Sequence, residues 1–160
     1  MDSKQKKIKM DIFIPKTKAE IKETSDLFLD NSNSQLRNIW ELSLLLGLRV
    51  NELLQIKFSD LIQDGEILKV NTVKERRNDI VEKRISKPAS RIILNAQKKH
   101  PNDIYLFQSK NRNRINCDPR PITRQVIYKA FSDVGKIINK KLTPHSVRGC
   151  KNKGVNTHCI

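Results

Sequence analysis

The stretch SQLRNIWELSLLLGLRVNELL, from Ser34 to Leu54, constrains the fold more than any other part of the chain. Leu36, Ile39, Trp40, Ser43 and Leu44 recur at the three-and-four spacing of a helix with one buried face, which predicts a helix over 34–46. Gly47 closes it, and Asn51 is suited to cap a following helix in NELLQIKF. Two largely apolar helices joined so closely must pack on a common core. Leu48, Arg49 and Val50 are then left on the tight corner between them. A side chain on such a corner is held more firmly than one on a loop, so Arg49 is a candidate functional residue. Glu52, three residues on, either orients Arg49 or forms an ordinary structural pair with it.

Around that centre the pattern predicts an α+β chain, mainly helical, with a small antiparallel β-sheet or hairpin. Residues 1–15 read as a basic flexible arm, followed by a helix over about 17–30 with Ile21, Leu27 and Phe28 turned inward. From DGEILKVNTV onward apolar residues alternate after an Asp-Gly turn, and DIVEKRIS repeats the alternation, so 66–86 is expected to be a β-hairpin or small sheet. Its tip, KERRND, carries Lys74, Arg76 and Arg77: a solvated charged turn, or a finger that reaches a phosphate backbone. Helical spacing returns over 87–99, the apolar IYLF follows, and Thr123 caps a helix expected to end near Gly135 and to bury Val126, Ile127, Ala130, Phe131 and Val134. No repeat and no second domain is evident.

The segment TPHSVRGC, 143–150, reads as a helix start with Thr143 as cap and Pro144 in the first turn. His145 and Arg148 then share a face beside the free N–H groups of a helix end, which is a seat for a phosphate or merely a capped surface helix with a basic side chain. Charge bears on that choice. Thirty-two Lys and Arg against seventeen Asp and Glu give a net charge of +15, which in a folded domain points to a polyanion, double-stranded DNA first. The basic residues do not line one amphipathic helix, and the apolar run LSLLLGL is too short to span a bilayer, so no membrane partner is expected and the chain reads as cytoplasmic. Cys117, Cys150 and Cys159 are odd in number and lack metal-ligand spacing, so neither a disulfide framework nor a metal site is expected.

LLLGLRVNELLQIKFSDL, 44–61, resembles the first arginine box of the tyrosine recombinases, the phage and plasmid integrases, and TPHSVRG resembles their H-x-x-R box. The order of helix, basic hairpin, YLF, polar loop, helix and H-x-x-R is similar to their catalytic domain over 16–149. The resemblance implies attack of a tyrosine hydroxyl on a DNA phosphate, without metal or other cofactor. Arg49 and Arg148 would meet the phosphate charge, His145 would bond the phosphate, and Glu52 would support Arg49. A hairpin lysine would protonate the leaving oxygen: Lys74, with Lys83 as the alternative, while Arg76, Arg77 and Lys83 would touch DNA. It implies a cytoplasmic setting in bacteria, on nucleoid or plasmid, and a full-length recombinase or further copies on DNA as partners.

The chain also departs from the family. Residues 150–160, CKNKGVNTHCI, read as a residual tail that stops before the family's third box and its tyrosine, and Tyr105 and Tyr128 lie in segments that read as structural. The expectation is a DNA-binding, recombinase-like protein that is inactive alone and active only if a partner donates a tyrosine in trans, or else a non-catalytic DNA-binding regulator or decayed remnant of a mobile element. A helix-turn-helix head over 36–57 fits poorly, because its second helix is apolar and acidic where base edges would be read.

Overall fold

The computed structural model describes residues 11–65, 67–74, 79–110 and 117–152, with backbone alone at 67, 73, 74, 149, 151 and 152. Helix α1, Lys18–Asn31, opens with a full capping box. The Glu20 N–H donates to the Thr17 hydroxyl at 3.2 Å, and the Glu20 carboxylate accepts from the N–H groups of Lys16 and Thr17. Helix α2, Ser34–Leu46, matches its sequence reading and is buried over most of its surface, not along one stripe. It is the central post of the fold, in contact with α1, with the short helix α3, Val50–Leu54, with α4, Lys87–Lys99, and with α6, Ser146–Asn152. Helix α5, Arg124–Ile137, closes the core against α1.

Three aromatic rings join α1, α2 and α5. Phe28 lies 4.8 Å from Phe131 and 5.7 Å from Trp40 between centroids, and Trp40 meets Phe131 edge-on at 5.8 Å. All three are fully buried. This is an efficient use of the chain's single Trp, since tilted rings in contact add attraction beyond the apolar area they hide.

The sheet is antiparallel, in the order β1-β2-β3: β1 Leu61–Asp64, β2 Ile67–Lys74 and β3 Asp79–Ile85. It starts one strand earlier than the expected 66–86. Gly65, at φ 61°, makes the turn between β1 and β2 that the Asp-Gly pair announced. Leu68, Val70 and Thr72 face the core from β2, and Lys83 of β3 stands opposite Val70.

Four local expectations are corrected. Val126 is 49% exposed, because it precedes the buried position Ile127 by one residue and so points off the α5 core face. Helix α5 runs past Gly135 to Ile137, and the chain reverses at Asn139, φ 53°. Gly135 serves close approach instead: a Cβ there would meet the Lys140 carbonyl at 2.6 Å and the Leu142 N at 3.0 Å. Within the stretch read as a flexible arm, Ile12 bridges to Lys141, and the Phe13 N–H donates to the Lys141 carbonyl at 2.8 Å. At the other end Cys150, read as the start of a tail, is fully buried in α6.

Candidate functional site

Gly47, at φ 62°, ends α2 in the left-handed conformation that a side chain would resist, and its N–H donates to the Ser43 carbonyl. Leu48 turns into the core. Arg49 follows in extended conformation as the residue that caps α3, so the cap falls here and not at Asn51. Two bonds fix its backbone: its N–H donates to Glu52 Oε2 at 2.8 Å, and its carbonyl accepts from Leu53 at 2.9 Å. Glu52 therefore supports Arg49 through the main chain. Among the described residues no ion pair joins Glu52 to the guanidinium, which is half-buried and bonds to no other protein group. A donor fork held at its root and open at its tip is suited to an external anion.

The second half of the site starts later in the chain than the sequence suggested. The Ser146 N–H donates to the Thr143 carbonyl at 2.8 Å, while the Thr143 N–H donates to Ser146 Oγ at 3.1 Å. This reciprocal pair makes Pro144–His145 a turn, and α6 begins at Ser146. Thr143 does not cap with its hydroxyl, which is buried without a partner. His145 and Arg148 are both exposed, one on the turn and one in the first helical turn, and the Arg148 N–H donates to the His145 carbonyl at 3.1 Å. Val147 and Cys150 anchor α6 in the core, and α6 rests on α2, whose end carries the Arg49 corner. No hydrogen bond or ion pair links the side chains of Arg49, His145 and Arg148 to one another.

The hairpin residues divide. Lys83 is half-buried in β3. Lys74 is the last residue of β2, paired through the backbone with Asp79, and its side chain lies outside the described residues, as do Arg76 and Arg77. Both tyrosines are half-buried under cations: Lys57 Nζ is 5.5 Å from the Tyr105 ring centre, and the Arg124 guanidinium is 5.7 Å from that of Tyr128. Cys150, one turn inside α6, donates to the Pro15 carbonyl at 3.4 Å, and burial pushes its thiol up to about 11. Two supports went unseen in the sequence reading. Ser146 locks the turn, and Gly135 lets Lys140–Leu142 pass close beneath α5 and deliver that turn. The serine at the third position after Thr143 was the available signal for the first. Among the described residues no cluster of His, Cys, Asp or Glu could hold a metal, and no helix is long and apolar enough to cross a membrane.

A mainly helical domain with a three-stranded antiparallel sheet between two arginine-bearing corners has the fold of the tyrosine recombinase catalytic domain. The chain belongs to the phage integrase family, whose model matches residues 17–156. Among solved structures it is similar to a lambda integrase dimer bound to a COC′ core site, with a TM-score of 0.65 and 18% identity over 84% of this chain and 38% of that one. It is similar to XerA recombinase at 0.62 and 21%, over 85% of this chain and 48% of that one. The lambda integrase catalytic core gives 0.64 and 17%, over 86% and 80%. The chain thus spans less than half the length of the first two. No curated protein matches its sequence significantly.

Proposed function

We propose that this chain binds double-stranded DNA and holds one backbone phosphate between Arg49, His145 and Arg148, as its part in site-specific recombination. The observation that carries this reading is the state of the three side chains. Each sits on a backbone fixed by hydrogen bonds, on elements packed around α2, and among the described residues none is spent on a protein partner. Permanently charged forks suit the charge that develops on phosphate oxygens during transfer. In this reading Lys74 protonates the leaving oxygen, with Lys83 as the alternative, and Arg76, Arg77 and Lys83 contact the backbone of DNA. The DNA-bound states of the similar recombinases support the choice of partner.

Neither Tyr105 nor Tyr128 is proposed as the attacking group, since each ring is packed and covered by a cation. In this reading the attacking hydroxyl comes from outside residues 1–160. The other reading is a DNA-binding regulator that cuts nothing. Denaturing electrophoresis of a labelled, nicked duplex distinguishes them. The chain alone should give no protein-linked band, and adding a recombinase with its tyrosine intact but its arginines replaced should produce one. No band in either mixture selects the regulator. A band from the chain alone that disappears with Tyr128→Phe or Tyr105→Phe would overturn the assignment. The shared phosphate has its own test: Arg49→Lys and Arg148→Lys should couple by roughly 0.5 kcal/mol or more in DNA binding, and simple additivity would separate the two arginines.

A further inference from the structure

At the end of α2 remote from Arg49, α1, α2 and α4 enclose a groove of about 350 Å³. Ile21, Pro88 and Ile92 make it apolar, and Ser25 lies among them. Ser25 is 1% exposed, and its hydroxyl has no partner. A helical serine ordinarily donates back to the carbonyl four residues earlier. Here that carbonyl, of Ile21, accepts the Trp40 indole N–H at 3.4 Å. Among the described residues the hydroxyl is left without a partner in the buried wall of the groove, where an inserted chain that parts the wall would meet it.

The rim is cationic. Lys18, Lys22 and Arg91 are exposed and make no ion pair among the described residues. Among the described residues the one lining carboxylate, Glu41, is already held by Arg37 at 2.9 Å. We propose that this groove docks an acidic segment of a partner protein. An aliphatic side chain of that segment enters between Ile21 and Ile92, flanking carboxylates meet Lys18, Lys22 and Arg91, and the Ser25 hydroxyl donates to a polar atom of the inserted chain. DNA fits the rim but not the interior, because a duplex backbone offers phosphate and sugar and no aliphatic knob. A second copy of this chain is disfavoured by a net charge of +15 on each molecule. Arg37 and Leu46, toward opposite ends of α2, are roughly 14 Å apart along the helix axis at the standard rise. The docking site is therefore separate from the proposed phosphate site, and either can fail without the other.

The test is a titration of the whole isotope-labelled chain with a synthetic peptide of leucine flanked by glutamates, followed by amide NMR. Shifts confined to residues around Ser25, Arg37 and Ile92 are expected. A matched peptide with serine in place of leucine should bind more weakly. Lys22→Glu combined with Arg91→Glu, both at exposed positions, should lower affinity about tenfold or more while leaving the fold and the salt slope of DNA binding intact. Ser25→Ala should lower it several-fold. Shifts scattered over every lysine, equal binding of the serine peptide, unchanged binding by Ser25→Ala, or displacement of the peptide by duplex DNA with the same resonances shifting would each overturn the proposal.

Discussion

Glu52 and Cys150 show how single residues hold the two halves of the site. The Glu52 carboxylate takes the Arg49 N–H at the start of α3, one of the donors that a helix cannot satisfy by itself. Glu52→Ala should cost about 1 kcal/mol in urea unfolding, and Glu52→Gln, which keeps an acceptor oxygen, should recover most of that loss. Cys150 gives a prediction in pH. Burial raises its thiol from an ordinary 9.0 to about 11, so the folded chain holds this proton more tightly than the unfolded one. Its contribution is fully present below about pH 9 and is lost as pH rises toward 11. Urea midpoints between pH 9 and 10.5 should therefore fall less steeply in Cys150→Ala than in the parent, although that variant starts lower because it leaves a cavity. Parallel slopes would show that the thiol is ionised no differently in the two states.

Among the elements, those fixed by local pattern were legible and those fixed by tertiary contact were not. Helix α2 was readable because Gly47 and the apolar spacing agree, and the antiparallel sheet followed from alternation and Asp64-Gly65. The start of α6 was misplaced because Thr143 and Ser146 are both capping residues, and the choice between them is made by the Ser146 hydroxyl returning to the Thr143 N–H. Gly135 misled for a related reason: a glycine late in a helical pattern reads as a terminator, yet here it admits the Lys140–Leu142 backbone. The turn that carries Arg49 was readable from spacing, although its cap fell at Arg49 and not at Asn51, whereas the bond of Glu52 to backbone and not side chain depends on helix geometry. The element-level prediction concerns Gly135. An added methyl must displace the segment that leads into Thr143–Arg148, so Gly135→Ala should destabilise by about 1–3 kcal/mol. It should also shift the amide resonances of 143–148 more than those of the sheet, and a variant of parent stability would remove Gly135 from the support of the site.

For the whole molecule, the charge is the dominant fact. With +15 in 160 residues, and with Arg37, Lys69, Lys110 and Lys136 in ion pairs among the described residues, most of the described cations are outside such pairs and can meet an external polyanion. Such an excess attracts phosphate without reading bases, so the chain should bind duplexes of unrelated sequence with similar affinity. Each phosphate neutralised releases condensed counterions, and the logarithm of the binding constant should fall linearly with the logarithm of salt concentration, by about 0.9 per contact. A footprint of roughly five phosphates gives a slope near −4 to −5. The variants separate the proposed phosphate site from diffuse attraction: Arg49→Ala combined with Arg148→Ala, which gives up the one shared phosphate, should flatten the slope by about 0.9, whereas an exposed cation outside the footprint, replaced in the same way, should lower affinity weakly and leave the slope in place. Filter binding between about 50 and 200 mM salt measures this directly. If the slope is steep in the parent and unchanged in the double arginine variant, the protein binds DNA by its general charge, and the two corners around α2 are not where the phosphate sits.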